Sequence, residues 1–263
     1  MLLFRVISAL IGIPLLVFII FLGDPYFILA VFLLALIALL EFKNFINNSQ
    51  CKAIVLFLWL SALLFPLIFL VEYNYITAIL MFYLLFCFCF YLFNSANYSP
   101  LDLSFTLLGV IYIFMGFLHL LLLRNMAGGF WLVIYVFVVV WTTDTGAYFT
   151  GMTLGKHKLA PLISPNKTWE GFLGGLMIGV LAAYIYSIYV PLTQGKFLIY
   201  IAPLVSVAGQ FGDLFESSLK RFAKIKDSGQ LIPGHGGVLD RFDSTLWAAP
   251  LTYYALLILE RLM

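Results

Sequence analysis

The stretch from Asp213 to Asp243 combines carboxylates, cations and glycines in a pattern that suits phosphoryl or nucleotidyl transfer. Side chains of both charges surround a glycine-rich turn, Pro233-Gly234-His235-Gly236-Gly237. Nucleotide phosphates arrive with Mg²⁺, which prefers carboxylate and water ligands, and their transfer needs positive groups around the reacting phosphorus. Glycines let the backbone approach an anion and turn its N–H groups towards it. These residue types therefore favour a site for phosphate groups.

A polar stripe leads into this stretch along one predicted helix. Polar residues recur there at steps of three or four, which places them on one helical face: Ser206, Gln210, Asp213, Glu216, Ser217, Lys220 and Lys224. An ionised group at the bilayer centre costs about 2.5–3.5 kcal/mol on insertion scales, so the stripe is expected to face a bundle interior or a wet cavity. A structural seam, with Asp213 or Glu216 paired to Lys220, is the alternative.

Some of these residues suit more than one role. Asp243 precedes the last predicted span and suits either a helix N-cap or a metal ligand. Arg221 and Lys224 suit either a phosphate site or an anchor at the lipid headgroups. His235 could orient the turn, bind a phosphate or act as an acid, and the residues themselves do not choose.

The elements that carry these residues are predicted to be membrane helices. The 263-residue chain is 64% hydrophobic and only 10% charged, far from the composition of soluble domains. Apolar stretches near the length of a bilayer crossing predict nine spans, at 6–23, 25–41, 53–71, 75–93, 103–123, 129–149, 171–190, 197–219 and 244–262. We find no internal repeat and no strand pattern, so the predicted class is all-α, a polytopic membrane bundle. One membrane domain, 1–263, is expected, with scaffold spans in 1–126 and a catalytic half in 127–263.

The basic residues predict the orientation of the bundle. With nine alternating spans, eleven of the 14 Lys and Arg residues fall on one side of the membrane. Cytoplasmic loops accumulate Lys and Arg, so that side is expected to be the cytoplasm. The polar stripe ends on the same side. We therefore expect a multi-pass protein of the bacterial cytoplasmic membrane with its active site facing the cytoplasm.

Residues 217–243 resemble the phosphatidate cytidylyltransferase (CDP-diacylglycerol synthase) family. The family pattern is S-x-(apolar)-K-R-x4-K-D-x-(small)-x2-(apolar)-(P/G/S)-x-H-G-G-(apolar)-x-D-R-(apolar)-D, and the sequence satisfies it without a departure. Residues 144–148, 164–171 and 212–217 also look like family segments, so the resemblance covers roughly residues 140–245. The first 125 residues agree with the family only as generic spans.

The resemblance implies an activity and a role for each residue of the motif. The activity is transfer of CMP from CTP to phosphatidic acid, giving CDP-diacylglycerol and pyrophosphate in phospholipid biosynthesis. The implied cofactor is Mg²⁺, held by Asp213 and Asp240, with Glu216 and Asp243 as further candidate ligands and a second metal ion left open. The implied catalytic residues are Lys220, Arg221, Lys226, Asp227, His235 and Arg241. The implied substrate-binding residues are Asp144, Ser164, Lys167, Thr168, Glu170, Ser217, Gly236 and Gly237. CTP, phosphatidic acid and membrane lipid are the expected partners, together with a second copy of the chain in a homodimer; no nucleic acid is expected.

Two other functions fit the sequence less well. CDP-alcohol and polyprenyl-phosphate transferases are also membrane phosphotransferases, but the motif D-G-x2-A-R-x8-G-x3-D-x3-D and a paired Asp-Asp run are missing from the sequence. An ion-coupled transporter could use Asp213, Glu216 and Lys220 as a relay. Transporters usually show inverted repeats and midplane binding groups, whereas the polar groups here crowd towards one end of the spans.

Overall fold

The computed structural model describes residues 2–67, 73–191, 195–229 and 236–261, and within them the chain forms nine α-helices and one short hairpin. The helices are α1 (Leu2–Leu22), α2 (Tyr26–Asn48), α3 (Val55–Leu67), α4 (Tyr73–Phe93), α5 (Pro100–Asn125), α6 (Gly129–Leu154), α7 (Trp169–Tyr189), α8 (Gly195–Phe222) and α9 (Leu239–Arg261). The hairpin strands, β1 (Lys158–Ala160) and β2 (Ser164–Thr168), lie between α6 and α7. Each predicted span corresponds to one helix, which confirms the all-α class.

Most of these helices are apolar enough for a lipid environment. Among the described residues, five helices are long and apolar enough to cross a membrane: Tyr26–Asn48, Pro100–Asn125, Gly129–Leu154, Trp169–Tyr189 and Phe197–Phe222. Shorter apolar stretches lie in α1, α3 and α4. Large apolar side chains such as Phe82, Phe93 and Tyr189 are exposed on the outer surface, where water would make them unfavourable. The protein is therefore a multi-pass integral membrane protein.

A stripe of glycines lets α7 pack closely along α6. Gly171, Gly175 and Gly179 recur every four residues and so share one face of α7. A Cβ atom at Gly175 would lie 2.7 Å from the carbonyl oxygen of Thr143, and one at Gly179 would lie 2.2 Å from the Thr143 hydroxyl. Small residues of this kind allow membrane helices to approach each other. The contact holds Asp144, the next residue of α6, beside α7.

The hairpin turns the chain between α6 and α7 and was not expected from the sequence. Its strands are antiparallel, with Lys158 opposite Thr168 and Ala160 opposite Ser164. The Thr168 hydroxyl accepts a hydrogen bond from the backbone N–H of Gly171 (3.1 Å) and so caps α7. Strands of 3 and 5 residues are too short to show an alternating pattern. The hairpin is a small addition to an otherwise helical fold.

The last helix begins earlier than predicted. α9 starts at Leu239 and not near residue 244, so Asp240 and Asp243 lie inside the helix. The N-cap alternative for Asp243 is therefore wrong. The helix start is stabilised from outside the segment, because Glu41 of α2 accepts hydrogen bonds from the backbone N–H groups of Val238 and Leu239 (both 2.9 Å). A partner so distant in sequence cannot be found from local helix signals.

Candidate active site

The polar stripe of α8 faces neighbouring helices, as predicted. In the buried part of the stripe, Ser206 Oγ accepts a hydrogen bond from the Thr143 hydroxyl of α6 (2.9 Å). One turn further on, the Gln210 side-chain amide donates to the carbonyl oxygen of Phe172 in α7 (3.2 Å). Both stripe residues are buried, and each has a hydrogen-bond partner as buried polar groups require. The stripe therefore continues a hydrogen-bonded seam between α6, α7 and α8.

An open cavity of about 500 Å³ lies where α6, the hairpin, α7 and α8 meet. It is lined by Asp144, Ala147, Tyr148, Gly151, Met152, Leu159, Asn166, Lys167, Thr168, Gly171, Phe172, Gln210 and Asp213. The cavity brings together four residues that the sequence assigned to the site: Asp144, Lys167, Thr168 and Asp213. Tyr148, Asn166 and Phe172 line the same cavity but were not assigned a role from the sequence. We call it the nucleotide cavity, after the CTP site that the family resemblance implies for four of its residues.

An ion pair crosses the nucleotide cavity. Lys167 Nζ, from β2, lies 2.7 Å from Asp213 Oδ2, and the Ser217 hydroxyl donates to Asp213 Oδ1 (3.3 Å). Asp144 interacts electrostatically with both members of the pair. The side chains of Lys167 and Asp213 are 26% and 32% exposed, so the pair is within reach of solvent. An anion that enters the cavity can therefore replace Asp213 as the partner of Lys167.

Lys220 joins α8 to α9 through two carboxylates. Its ammonium group lies 2.5 Å from Glu216 Oε2 on the same helix and 2.7 Å from Asp240 Oδ1 on α9. Glu216 is fully buried and Asp240 is 6% exposed at its side chain. The ion pair between Glu216 and Lys220 within α8, which was the alternative interpretation of the polar stripe, is thus present. It does not exclude a functional role, because the same ammonium group also holds Asp240, a predicted metal ligand.

Asp240 also organises the loop before α9. Its Oδ2 atom accepts hydrogen bonds from the backbone N–H of Ser228, the Ser228 hydroxyl and the backbone N–H of Gly237, each 2.8 Å long. Gly236 has φ +82°, and a Cβ atom there would lie 2.4 Å from Asp240 Oδ2. Only glycine adopts this backbone without strain at so close an approach. Gly236 and Gly237 therefore shape the turn around the Asp240 carboxylate.

Two adjacent motif residues lie at a different cavity. Lys226 and Asp227 are exposed and line an open space of about 380 Å³, together with Asn44, Asn47 and Asn48 of α2. Neither residue is among those that line the nucleotide cavity. The sequence placed Lys226 and Asp227 in one site with Asp213. The structure shows Lys226 and Asp227 at this second polar space, whose lining also includes Ser228, a hydrogen-bond partner of Asp240.

The other predicted residues lie around the hairpin and at the surface. The Arg221 guanidinium donates through Nε to the carbonyl oxygen of Ile163 in the hairpin turn (3.1 Å), next to half-buried Ser164. Glu170 accepts from the backbone N–H groups of Lys156 and His157 and pairs with the His157 ring (2.6 Å), so it holds the base of the hairpin. Arg241 is exposed and interacts electrostatically with Asp144. His235 lies outside the described residues.

Two of the predicted metal ligands, Asp213 and Asp240, are already paired with lysine ammonium groups. Asp213 has the Lys167 ammonium against Oδ2, and Asp240 has the Lys220 ammonium against Oδ1. Glu216 Oε1 is buried and has no hydrogen-bond partner among the described residues, and Asp243 interacts electrostatically with Glu216 and Asp213. Oxygen donors of this kind suit a hard divalent cation. Among the described residues, no three His, Cys, Asp or Glu side chains are gathered as a metal site.

Glu41 is a buried acidic residue of this region to which the sequence analysis gave no role. It is 6% exposed and lies near the polar end of α2, in the half of the chain that was assigned to the scaffold. Its carboxylate accepts hydrogen bonds from the backbone at the start of α9, the helix that carries Asp240. The available signal was one acidic residue at the end of an apolar run, which is costly to bury unless it has partners.

The fold and the cavity define a class of protein: a multi-pass membrane enzyme with paired carboxylates and lysines suited to phosphate chemistry. Comparison with known sequences makes the class specific. The family described as "Cytidylyltransferase family" matches residues 3–259. The chain belongs to this family.

Individual relatives agree with the family match. The chain is 38% identical over 254 residues to the phosphatidate cytidylyltransferase of Staphylococcus haemolyticus, which covers 94% of this chain and 96% of the relative. A protein of the same name from Staphylococcus epidermidis also matches at 38% over 254 residues. The Bacillus subtilis protein of that name is 48% identical over 157 residues, which is 59% of this chain and 58% of the relative.

Proposed function

We propose that this protein is a phosphatidate cytidylyltransferase, which transfers CMP from CTP to phosphatidic acid and yields CDP-diacylglycerol and pyrophosphate. Family membership and the activity named for the relatives support the proposal. The observation that carries it is the Lys167–Asp213 pair inside a polar cavity bounded by membrane helices. Such a cavity gives a water-soluble triphosphate access to a charged site, while the apolar helix surfaces around it are in contact with lipid.

The reaction needs no nucleophile from the protein. A phosphate oxygen of phosphatidic acid attacks the α-phosphorus of CTP, the bond from that phosphorus to the bridging oxygen breaks, and pyrophosphate leaves with the electron pair. The lipid phosphomonoester is largely ionised near neutral pH, because its second pKa is about 6 by analogy with phosphoserine. The protein therefore has to orient two anionic substrates and offset their charge.

The lysines of the site suit this task by exchanging partners. A phosphate group that enters the nucleotide cavity takes the Lys167 ammonium from Asp213. Asp213 and Asp240 are the residues that would hold Mg²⁺, which, when bound, supplies charge stabilisation for the transferred and leaving phosphates. The Lys220 ammonium lies between Glu216 and Asp240, and it would be available to offset substrate charge if Asp240 held the cation instead.

The cellular location and the assembly belong to the same proposal. The excess of Lys and Arg on one side supports an active site that faces the cytoplasm, and the bacterial relatives support a bacterial cytoplasmic membrane. A homodimer is supported by the family resemblance alone. Cross-linking of the purified protein in detergent, compared at low and high protein concentration, tests it.

The activity is tested with the purified full chain in mixed micelles of detergent and phosphatidic acid. With CTP labelled at the α-phosphate, we expect labelled CDP-diacylglycerol and an equal amount of pyrophosphate, both dependent on phosphatidic acid and Mg²⁺. A CDP-alcohol phosphotransferase would instead consume CDP-diacylglycerol and release CMP, and a transporter would do neither. Well-folded protein that releases no pyrophosphate under these conditions contradicts the proposal.

A matched pair of lysine variants tests the cavity itself. Lys167→Met removes the ammonium group inside the nucleotide cavity, whereas Lys158→Met removes an equal charge from an exposed position on β1 that does not line it. We expect Lys167→Met to raise the KM for CTP about tenfold or more, the value of one charge-assisted hydrogen bond to phosphate. Lys158→Met should leave the KM near that of the wild type. Equal effects of the two variants would mean that CTP binds elsewhere.

A further inference from the structure

Glu41 connects the N-terminal half of the bundle to the loop that precedes α9. Its Oε1 atom accepts a hydrogen bond from the backbone N–H of Val238, and its Oε2 atom accepts from the backbone N–H of Leu239 (both 2.9 Å). The Ser228 hydroxyl lies 3.1 Å from the same Oε2 atom. Glu41 is therefore a buried carboxylate with two backbone donors at the start of α9 and a contact to the Ser228 hydroxyl, which donates either to Glu41 or to Asp240.

The surroundings of Glu41 are shaped to receive its carboxylate. A Cβ atom at Gly229 would lie 2.7 Å from Glu41 Oε1, and one at Gly237 would lie 2.5 Å from both carboxylate oxygens. Any other residue at these positions would push the carboxylate away. The bound N–H groups also belong to the start of α9, where the helix leaves its first donors without internal partners and favours negative charge. Glu41 thus takes the part that an N-cap residue usually plays.

A single hydroxyl joins Glu41 to the candidate active site. Ser228 Oγ lies 3.1 Å from Glu41 Oε2 and 2.8 Å from Asp240 Oδ2. Asp240 in turn contacts the Lys220 ammonium through its other oxygen. The position of the Asp240 carboxylate is therefore determined by Ser228, by Gly237 and, through the loop, by Glu41.

We propose that Glu41 is a positioning residue for cytidylyl transfer. It holds the start of α9 and the preceding loop, and so sets the placement of Asp240 and Lys220 without contacting a substrate. This inference rests on the proposed function for the reaction that is measured. It predicts an effect on turnover more than on CTP binding, because Glu41, Ser228 and Asp240 do not line the nucleotide cavity.

The test uses Glu41→Gln, which keeps the size of the side chain but replaces one acceptor oxygen with an N–H donor. In either orientation of the amide, that donor faces an N–H or O–H group of the loop. Lys43→Gln is the control, since it also removes one charge from α2 but lies among Leu36, Leu40 and Val55, away from the loop. Both variants are purified as full chains, and kcat, the KM for CTP and amide hydrogen–deuterium exchange in residues 236–243 are measured.

For Glu41→Gln we expect kcat to fall about tenfold or more, the KM for CTP to change less than about twofold, and exchange in residues 236–243 to accelerate. Lys43→Gln should match the wild type in all three. Unchanged kcat, unchanged exchange or an equal effect of Lys43→Gln overturns the positioning role. Wild-type protein that releases no pyrophosphate overturns the proposed function instead, and the exchange result then still reports on the loop.

A second variant applies if Glu41→Gln does not fold. Ser228→Ala removes only the hydroxyl between Glu41 and Asp240 and leaves Glu41 bound to the two backbone N–H groups of α9. We expect the same pattern, a lower kcat with a nearly unchanged KM for CTP. Ser228→Ala protein with wild-type kcat and wild-type exchange would overturn the proposed link.

Discussion

Removal of the Lys220 ammonium should destabilise the bundle, because two buried carboxylates depend on it. In Lys220→Met, an uncharged side chain of similar length replaces the ammonium group that now lies 2.5 Å from Glu216 Oε2 and 2.7 Å from Asp240 Oδ1. The side chains of Glu216 and Asp240 are 0% and 6% exposed, so water cannot replace the lost partner. The loss is therefore expected in the free energy of unfolding as well as in activity.

The size of the expected stability loss follows from the burial of Lys220, Glu216 and Asp240. Breaking a buried ion pair by removing one partner costs about 3–5 kcal/mol, because an uncompensated charge is left behind. Asp240 keeps three other donors, whereas Glu216 Oε1 has no hydrogen-bond partner among the described residues. Most of the cost therefore arises at Glu216. We expect a loss of about 4 kcal/mol in Lys220→Met, and recovery of about half of it in the double variant Glu216→Gln with Lys220→Met.

The assay is a denaturant titration of the purified protein in detergent micelles, followed by tryptophan fluorescence. Lys224→Met is the matched control, since Lys224 lies just beyond the end of α8 and is exposed. Surface substitutions usually change stability by less than about 0.5 kcal/mol. Wild-type stability of Lys220→Met, or a double variant that is less stable than Lys220→Met, would refute the assignment of a buried charge balance to Lys220.

Three further predictions address the site and the packing that holds it. Asp213→Asn should reduce pyrophosphate release below detection while the protein still elutes as a folded species from gel filtration, because Asn keeps the shape but loses the charge; near-normal activity would exclude Asp213 as a metal ligand. Lys226→Ala should raise the KM for a substrate without changing the Mg²⁺ concentration that gives half-maximal activity, and a shifted Mg²⁺ optimum alone would instead indicate a metal site. Gly179→Ala should lower the free energy of unfolding by about 1–3 kcal/mol, since its Cβ atom would lie 2.2 Å from the Thr143 hydroxyl; Gly12→Ala, with nothing within 4 Å, should not lower it.

The helices could be predicted because each follows from a local property of the chain. A segment in lipid has to satisfy its own backbone hydrogen bonds, so a long apolar run predicts a helix without knowledge of its neighbours. The stripe of Ser206, Gln210 and Asp213 follows equally from helical periodicity. The structure confirms that this face of α8 contacts other elements of the fold: Ser206 and Gln210 bond to α6 and α7, and Asp213 pairs with Lys167 of β2.

What could not be predicted depends on contacts between distant parts of the chain. Glu41 lies 187 residues before Ser228, and nothing near it in the sequence identifies its partners. The early start of α9 has the same origin, because its cap is supplied by α2. The second cavity has a similar origin, because Lys226 and Asp227 line it together with Asn44 and Asn47 of α2. A pattern within residues 217–243 cannot identify partners that lie so far away along the chain.

The lysines of the site explain how carboxylates can be kept ready inside a membrane protein before substrates arrive. An uncompensated carboxylate in such a place is costly, yet the proposed reaction needs Asp213 and Asp240 available to a cation. Lys167 and Lys220 resolve this conflict by neutralising them in the substrate-free protein. In the proposed reaction, a phosphate group that enters the cavity would take over the Lys167 ammonium, and Asp213 would then be available to a cation. Asp213 and Asp240 therefore do not have to be kept as isolated ions in the substrate-free protein, where their desolvation would be costly.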